Sequence, residues 1–345
     1  MERFFQILAT QHVERCFAYS EPRSGLQAFV VLDSLTLGPA AGGVRTRRYP
    51  SVQAALQDAM RLARTMTIKC ALAGLDAGGG KAVVLDHDDL DRTRAFEKLG
   101  AFVEELGGIF RTAGDLGTTP DDLRAMARTT RFVHTNETDL AHSVALGVLR
   151  AAEACAEMRG LAGVRGLRVA VQGCGAVGAA VAHIFSQAGA EVLVADVVPG
   201  KAQKLAAELG AHTLNAEDIL ATPVDLLAPC AAGGVVTARV ARKIKAWAIC
   251  GAANNFLADQ KAEQELVARE ILCVPDVVSS AGAVIEGIGE TLMGLPDRTP
   301  LIDRIKETTR KVLETAKHAG ALPSEVAEEM ARTRISEAQK KKSRN

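Results

Sequence analysis

The sequence predicts an α/β protein of about two domains, and two observations carry this prediction. The chain has 345 residues, of which 48% are hydrophobic, and this composition is sufficient for two buried cores. Segments with the composition of strands alternate with amphipathic helical segments in both halves of the chain, which is the pattern of α/β folds. No apolar run reaches the length of a membrane span, so we expect a soluble, globular protein.

The charge balance and the cysteines exclude several classes of partner. Lysine and arginine total 41 residues, as do aspartate and glutamate, so no net field would draw the chain to nucleic acid or to an anionic membrane. Basic residues cluster only at residues 340–344, where we expect a solvated tail. The seven scattered cysteines form no Cys-x-x-Cys pair, so we expect reduced thiols and no bound metal. Residues 1–11 lack a long apolar run, and we expect a cytoplasmic protein without a signal peptide.

One stretch, residues 66–81, is the strongest candidate for a functional site. It places Lys69 and Lys81 near the ends of a segment that is otherwise small, apolar and rich in glycine, which is unlike a solvated surface. Three consecutive glycines, residues 78–80, allow positive φ and the close approach of a ligand, which a structural strand rarely needs. The segment does not match a phosphate-binding loop, which needs an earlier glycine and a hydroxyl residue after the lysine. A mobile loop that ends in lysine is the alternative.

The first elements lead to these two lysines. Residues 27–37 are rich in Val, Phe and Leu and predict a strand, and residues 38–43 predict a turn that exposes backbone N–H groups able to hold a carboxylate. Ser51 has the N-cap position of an amphipathic helix that carries the chain to Lys69. A short strand follows the second lysine, over residues 82–85.

Two further helices follow, and between them lies a carboxylate that their patterns do not explain. The first helix carries apolar residues at helical spacing and ends at Gly107. The second begins at Thr119 as the N-cap, and the helix dipole accounts for the acidic side chains of Asp121 and Asp122. Asp115 precedes this helix between two glycines, where it either reaches into a cleft or stabilises the turn. The sequence leaves both roles open.

The second half opens with the residues of a dinucleotide site. After a helix predicted over residues 141–159, an apolar strand over residues 167–172 leads into the glycine turn, Gly173-Cys-Gly175-Ala-Val-Gly178, and then into a helix. A further strand, residues 191–195, ends at Asp196. This context is the one required of a Rossmann-type site, in which the pyrophosphate lies on the helix N-terminus. Asp196 would bind the ribose hydroxyls and repel a 2′-phosphate, which favours NAD over NADP.

The rest of the chain continues the alternation of strands and helices. Three more strands are predicted, each ending in a loop of small or polar residues, where an open α/β sheet binds its ligands: residues 225–227, 246–250 and 271–274. Two helices, over about residues 302–318 and 324–338, follow them.

Taken together, these motifs resemble the amino-acid dehydrogenase family that includes the glutamate, leucine, phenylalanine and valine enzymes. The similarity runs from about residue 25 to residue 335 and is closest to the leucine and phenylalanine branch. It rests on Lys69, on the glycines with Lys81, on the glycine turn and on four further motifs: Leu37-Gly-Pro-Ala-Ala-Gly-Gly43, Thr112-Ala-Gly-Asp115-Leu-Gly-Thr118, Ala228-Pro-Cys230 and Gly251-Ala-Ala-Asn-Asn255.

The resemblance implies a division of the chain and an oligomer. Residues 1–140 would form an α/β domain for substrate binding and oligomerisation, and residues 141–300 a Rossmann-type NAD-binding domain. Residues 301–345 would supply C-terminal helices that pack back toward the first domain, and a tail. A homo-oligomer, as a dimer or higher, is expected.

The resemblance also implies an activity and a set of roles. Such enzymes oxidatively and reversibly deaminate a hydrophobic L-amino acid to the 2-oxo acid and ammonia, with NAD as the hydride acceptor. Lys69, helped by the backbone around Gly42, would hold the substrate carboxylate. Lys81 would be the general base that activates water, and Asp115 would handle the amine proton. Repulsion between two ammonium groups would lower the pKa of Lys81, and an ionised Asp115 would raise it.

The remaining implied contacts concern the substrate side chain and the cofactor. The side-chain pocket would be built from Ala41, Ala113, Val284 and Gly287, and the small size of two of them favours an aromatic substrate, phenylalanine or tryptophan, over branched-chain ones. NAD would be bound by residues of the glycine turn and of three later loops: Gly173, Gly175, Ala176, Val177, Gly178, Asp196, Cys230, Ala231, Asn254 and Asn255.

Several departures from the family pattern accompany these expectations. Val144 stands where relatives carry a threonine near the nicotinamide, Ser280 replaces an asparagine, and the loop over residues 135–141 is short. His142 either supplies a new polar contact or is a surface or capping residue. Two alternative functions remain: a non-catalytic homologue that binds NAD or an amino acid, and a dehydrogenase of an aromatic biosynthetic intermediate.

Overall fold

The computed structural model describes residues 8–11, 13–135 and 138–343. The chain divides into two compact units, each assembled from separated segments. The first unit comprises Met1–Glu137, Gly287–Gly294 and Ala331–Asn345, and the second comprises Thr138–Glu286 and Leu295–Met330. This interleaved division differs from the consecutive domains predicted from the sequence. Among the described residues, no helix combines the length and hydrophobicity that a membrane-spanning segment needs.

The first unit contains a six-stranded mixed sheet in the order β1-β2-β5-β3-β6, with β4 also paired to β5. Strands β1, β2 and β5 are antiparallel neighbours, whereas β3 and β4 run parallel to β5. The strands are β1 (Arg15–Glu21), β2 (Leu26–Leu32), β3 (Ala40–Ala41), β4 (Val44–Arg47), β5 (Gly78–Leu85) and β6 (Phe110–Arg111). The helices are α1 (Val52–Leu72), α2 (Arg92–Glu105) and α3 (Pro120–Ala127).

Both faces of this sheet are covered by helices. Helix α1 packs on one face against Phe29, Val31 and Val83, and helices α2 and α3 pack on the other face around Phe96 and Phe110. The helix starts agree with the sequence. The Ser51 hydroxyl accepts a hydrogen bond from the Ala54 amide at the start of α1. At the start of α3, Thr119 and Asp122 form a reciprocal capping box.

The three glycines before Lys81 lie in strand β5 and have no positive φ. The strand predicted over residues 82–85 therefore begins earlier, at Gly78, and the alternative of a mobile loop is wrong. Their backbone is crowded instead. A Cβ added to Gly79 would lie 2.1 Å from the backbone nitrogen of Thr67 in α1, and one added to Gly78 would lie 1.7 Å from the Ser34 carbonyl oxygen. Glycine is required at Gly79 because the backbones of α1 and β5 touch, and at Gly78 because β5 touches the segment after β2.

Three further expectations for the first unit need correction. The strand predicted over residues 27–37 ends at Leu32. The predicted turn at residues 38–43 contains β3, which pairs with both β5 and β6, and the Gly42 N–H donates to the Arg111 carbonyl at 3.1 Å. That N–H is therefore not exposed. The predicted basic tail begins as helix, because the last helix continues to Lys342 with its terminal lysines exposed.

The second unit contains a six-stranded parallel sheet in the order β12-β11-β10-β7-β8-β9. This is the order of a dinucleotide-binding sheet, as the sequence predicted. Its strands are β7 (Arg168–Gln172), β8 (Glu191–Ala195), β9 (His212–Thr213), β10 (Leu226–Pro229), β11 (Ala248–Ile249) and β12 (Leu272–Cys273).

Between Thr138 and Ser343, the last described residue, the chain forms nine α-helices and a 3-10 helix at Ile219–Ala221. Helix α4 lies against both α5 and α11, so the first of the two C-terminal helices packs within the second unit. The helices are α4 (Thr138–Met158), α5 (Ala176–Gln187), α6 (Pro199–Leu209), α7 (Ala238–Ala241), α8 (Gln260–Ala268), α9 (Asp276–Ser279), α10 (Gly282–Thr291), α11 (Thr299–Ala319) and α12 (Pro323–Lys342).

Candidate active site

Lys81 and Asp115, far apart in the sequence, form a buried ion pair. Lys81 lies in the middle of β5 on the face that α1 covers, and its side chain is 7% exposed. Asp115 follows β6, at the point where Gly114 bridges to Val44 of β4, and its side chain is 20% exposed. The Lys81 Nζ donates to Asp115 Oδ2 at 2.8 Å. Asp115 therefore contacts the lysine, and its carboxylate also accepts a hydrogen bond from the Leu116 amide, so both roles that the sequence left open stay open.

Arg45 completes this pair and was missed by the sequence analysis. Its Nε donates to the same Asp115 Oδ2, also at 2.8 Å, and its Nη1 lies 3.3 Å from Asp58 Oδ2. Asp58, on α1, also accepts from the Tyr49 hydroxyl at 2.7 Å. Arg45 is in register with Val83 on β5, two residues from Lys81, so both cations lie on the same face of the sheet.

The electrostatics of the pair favour an ionised aspartate beside a lysine that gives up its proton more easily than usual. Burial alone would raise the pKa of Asp115, but Lys81 and Arg45 outweigh it and hold the value at about 2. Burial lowers the pKa of the Lys81 ammonium, Arg45 lowers it further, and Asp115 opposes both. The net direction for Lys81 is down. The sequence could not show which influence on the Lys81 pKa is largest. In the structure it is burial.

Lys69 lies on α1, the helix that faces Lys81. It is 7% exposed and sits in the last turn of the helix, two residues beyond Thr67, whose backbone nitrogen approaches Gly79. Lys81 follows Gly79 by two residues and therefore shares its face of β5. The two lysines thus lie on packed neighbouring elements. The thiol of Cys70 beside Lys69 is buried, and burial raises its pKa to about 12, so it is not a nucleophile.

The glycine turn has the geometry of a dinucleotide-binding turn. Gly173 has a φ of +98°, and a Cβ added to Gly178 would lie 1.9 Å from the Gly173 carbonyl oxygen, so both positions require glycine. Gly175 is the N-cap of α5 and makes no side-chain capping bond, so Ala176 and Val177 begin a helix whose first amides are oriented for an anion. The turn and the start of α5 fit a pyrophosphate.

Asp196 and the loop after β10 adjoin the same turn. Asp196 accepts hydrogen bonds from the amides of Cys174 and Val198, both at 2.8 Å, which holds its carboxylate beside the glycine turn. A Cβ added to Gly173 would meet the Cβ of Ala231 at 2.8 Å, and one added to Gly178 would meet the Cβ of Cys230 at 3.4 Å. Five of the predicted cofactor residues are therefore neighbours: Gly173, Gly178, Asp196, Cys230 and Ala231.

The loop after β11 carries the two predicted asparagines. Asn255 has a φ of +51°, and its amide donates to Asp276 Oδ2 at 3.0 Å while its carbonyl accepts from the amide of Gly234. Asn254 is exposed. A Cβ added to Gly251 would lie 2.1 Å from the Pro229 carbonyl oxygen, so the loop after β11 touches the last residue of β10 at the carboxyl edge of the sheet.

Comparison with known proteins identifies the family. Residues 14–132 match the model described as Glu/Leu/Phe/Val dehydrogenase, dimerisation domain, and residues 198–343 match the Glutamate/Leucine/Phenylalanine/Valine dehydrogenase model. A phenylalanine dehydrogenase of Lysinibacillus sphaericus is 36% identical over 326 residues, which are 91% of this chain and 84% of that protein. The chain belongs to the glutamate, leucine, phenylalanine and valine dehydrogenase family. It is an amino-acid dehydrogenase, an oxidoreductase acting on CH–NH2 groups, and the resemblance noted in the sequence is confirmed.

Other relatives of this amino-acid dehydrogenase agree. A leucine dehydrogenase of Bacillus cereus is 34% identical over 96% of this chain and 93% of that protein. The crystal structure of L-tryptophan dehydrogenase from Nostoc punctiforme has a TM-score of 0.85 at 31% identity, covering 97% of this chain and 99% of that one. These matches confirm the predicted α/β fold of a dimerisation domain and a nucleotide-binding domain.

The predicted side-chain pocket residues of the dehydrogenase lie on three elements. Ala41 is on β3 and is fully buried, and Ala113 lies two residues after Arg111, the strand partner of Ala41. Val284 and Gly287 are three residues apart on α10, so they share a helix face. Val284 is buried, and a Cβ added to Gly287 would meet no atom of the described chain within 4 Å.

The residues that depart from the family pattern are mostly engaged within the protein. Val144 is buried in α4, and the Ser143 hydroxyl beside it donates to Glu286 Oε2 at 2.9 Å. The Ser280 hydroxyl donates to the Asp276 carbonyl at 2.6 Å. His142 is exposed on α4. The short loop predicted before it is only partly described, because residues 136 and 137 lie outside the described ranges.

Proposed function

We propose that this dehydrogenase catalyses the NAD-dependent, reversible oxidative deamination of a hydrophobic L-amino acid to its 2-oxo acid and ammonia. The observation that carries the proposal is the buried contact of 2.8 Å between Lys81 Nζ and Asp115 Oδ2, on a face of the sheet where the neighbouring helix carries Lys69. The relatives include phenylalanine, tryptophan and leucine dehydrogenases, which supports a hydrophobic substrate.

In this proposal the two lysines and the aspartate divide the chemistry. Lys69 pairs with the substrate carboxylate. Lys81, whose pKa burial lowers, loses its proton and as a free amine accepts one from the water that attacks the imine carbon. Asp115 is ionised before the reaction, binds the substrate ammonium and accepts the proton that the amine loses. Gly42 contributes close packing of its backbone on Gly80 rather than a donor, since its N–H is already bonded.

The cofactor residues fit NAD better than NADP. Bound NAD supplies the acceptor for the hydride that leaves the substrate Cα. The glycine turn and the first amides of α5 hold the pyrophosphate, with Cys230, Ala231, Asn254 and Asn255 along the neighbouring loops. The Asp196 carboxylate, fixed beside the turn by the Cys174 amide, binds the ribose hydroxyls and repels a 2′-phosphate.

The preferred substrate in this proposal is aromatic, with branched-chain amino acids next. Of the predicted pocket residues Ala41, Ala113, Val284 and Gly287, two are small for such a role, Ala41 and Gly287, and Gly287 has open space where a side chain would project. A methylene in such a pocket is worth about 1 to 3 kcal/mol of discrimination, so the range of substrates is broad. The dimerisation domain named by the family model over residues 14–132 supports a homo-oligomer.

Two measurements test this function. Formation of NADH with a panel of L-amino acids is expected to be fastest for phenylalanine or tryptophan and slower for leucine and valine. Tight NAD binding without turnover of any amino acid would instead support the non-catalytic homologue. Lys81→Ala should abolish turnover and leave NAD affinity unchanged by calorimetry, because Lys81 belongs to the first unit and the glycine turn to the second. Comparable losses of both would mean that Lys81 is structural.

A further inference from the structure

Asp115 is held by two cations at one oxygen. Lys81 Nζ and Arg45 Nε both lie 2.8 Å from Asp115 Oδ2. The Arg45 side chain is 13% exposed, so its guanidinium is largely withdrawn from solvent. A largely buried guanidinium costs desolvation free energy unless its donors are satisfied. The remaining guanidinium donors of Arg45 therefore need an acceptor, and the Asp58 carboxylate supplies it.

Asp58 satisfies the other side of the guanidinium. Its Oδ2 lies 3.3 Å from Arg45 Nη1 and accepts from the Tyr49 hydroxyl at 2.7 Å, and its Oδ1 accepts from Arg61 Nη2 at 2.7 Å. Both ends of the Arg45 fork are thus fixed, one by Asp115 and one by Asp58. A planar guanidinium held at both ends has a defined orientation, which a lysine at this position could not reproduce.

We propose that Arg45 is a positioning residue for the deamination. Its Nε fixes the Asp115 carboxylate, and Asp58 holds the Arg45 guanidinium in place. Asp115 therefore stays ionised and directed at Lys81. This role rests on the proposed function. Arg45 itself touches Asp115 and does not take part in proton transfer, because a guanidinium does not deprotonate in proteins.

The charges around Lys81 give this role a measurable consequence. Among the described residues, the charged groups that contribute most to the pKa of Lys81 are Asp115 from the segment after β6, Arg45 from β4 and Asp58 from α1. After burial, which is the largest influence and lowers the pKa of Lys81, the two carboxylates raise this pKa and Arg45 lowers it. Removing the Arg45 charge therefore makes Lys81 harder to deprotonate. A reaction that needs the free amine would then require a higher pH.

The test compares the pH dependence of kcat/KM for deamination in the wild-type oligomer and in Arg45→Gln. We expect kcat to fall at least about tenfold and the ascending limb of the profile to move up by about one pH unit. Arg45→Lys keeps the positive charge but cannot hold Asp115 and Asp58 together. It should restore the position of the limb and leave kcat low, which separates the effect of charge from that of orientation.

Arg48→Gln is the matched control, because Arg48 lies in the same segment but pairs with Asp88 at the surface, with 64% and 85% of the two side chains exposed. Its profile should match that of the wild type. If Arg45 has only a structural role, Arg45→Gln should reduce the amount of active enzyme and leave the ascending limb of the kcat/KM profile where it is in the wild type. This result would overturn the proposal. Wild-type enzyme that deaminates no amino acid would overturn the proposed function and this role together, whereas active wild type with an unmoved limb in Arg45→Gln overturns this role alone.

Discussion

At the scale of single residues, the sequence identified the ionisable groups but not the group that orients them. Lys81 and Asp115 stood out because no helix cap or surface pattern explained them, and the structure brings them to 2.8 Å. Arg45 lies on a strand of only four residues, and its register with β5 is set by tertiary packing that no local pattern reveals. The direction of the Lys81 pKa shift depended on burial and could not be read from spacing.

Asp115→Asn should move the pH profile in the direction opposite to that of Arg45→Gln. The carboxylate raises the pKa of Lys81 through its charge and its hydrogen bond, so its removal lowers that pKa further. We expect the ascending limb of kcat/KM to move to lower pH while kcat falls by at least about 100-fold, since the proton acceptor is lost. Asp121→Asn, at an exposed position in the first turn of α3, is the control and should leave the profile unchanged. A limb that moves to higher pH would mean that Asp115 does not stabilise the Lys81 ammonium.

At the scale of elements, helices and parallel strands were predicted better than the short strands of the first unit. Amphipathic spacing and caps located α1, α2 and α3, and apolar runs located β7, β8 and β10. The glycines at the start of β5 were misinterpreted, because the sequence shows that a backbone is free of side chains but not whether a ligand or another backbone fills the space. Here helix α1 fills it.

Gly79→Ala tests this explanation of β5. The added Cβ would lie 2.1 Å from the Thr67 nitrogen and 2.4 Å from the Ala63 carbonyl oxygen, so α1 would have to move away from the strand. We expect the free energy of unfolding to fall by about 3 kcal/mol, measured by urea denaturation, with a loss of kcat because Lys81 is two residues away. Gly200→Ala, where an added Cβ meets no described atom within 4 Å, should be close to neutral. Equal stability of the two variants would show that β5 and α1 are not in backbone contact.

Gly287→Ala tests the assignment of α10 to the substrate side chain. Alanine favours a helix over glycine by about 0.5 to 1 kcal/mol, and the space around this position is open, so the fold should tolerate the change. If Gly287 lines the pocket, kcat/KM for tryptophan and phenylalanine should fall about tenfold relative to valine. The ratio should not change in Gly200→Ala. An unaltered ratio in Gly287→Ala would remove this residue from the pocket.

At the scale of the whole molecule, the sequence predicted two domains and C-terminal helices that pack back toward the first, but it gave the domains as consecutive segments. The predicted boundaries at residues 140 and 300 are consecutive, whereas residues 287–294 and 331–345 belong to the first compact unit. The compact unit to which a C-terminal segment belongs depends on the helices against which it packs. Helix α11 lies on α4 of the second unit, whereas farther along, Arg334 in α12 donates to the Ala71 carbonyl of the first. Amphipathic spacing predicts which face of a helix is apolar but not the element against which that face packs.

The free energy of unfolding in acid should depend on the ion pair between Lys81 and Asp115 in the first unit. The pKa of Asp115 is about 2 in the folded protein, below its ordinary value of 3.8, so its stabilising contribution is complete above about pH 5 and is lost as the pH falls toward 2. The full contribution is about 2 kcal/mol, of which about 1 kcal/mol is lost by pH 3.

The measurement is the difference in urea midpoint between the wild type and Asp115→Asn at pH 5 and at pH 3, because this difference cancels the titration of all other carboxylates. Asp115→Asn should be less stable than the wild type at pH 5, where Lys81 and Arg45 have lost their partner. The gap, which is the difference in free energy of unfolding between the two proteins, should be about 1 kcal/mol smaller at pH 3. For Asp121→Asn, whose carboxylate is exposed, the gap should stay constant. A gap that is as wide at pH 3 as at pH 5 for Asp115→Asn would mean that Asp115 titrates alike in the folded and unfolded chains, and the buried pair would then contribute nothing to the stability of the first unit.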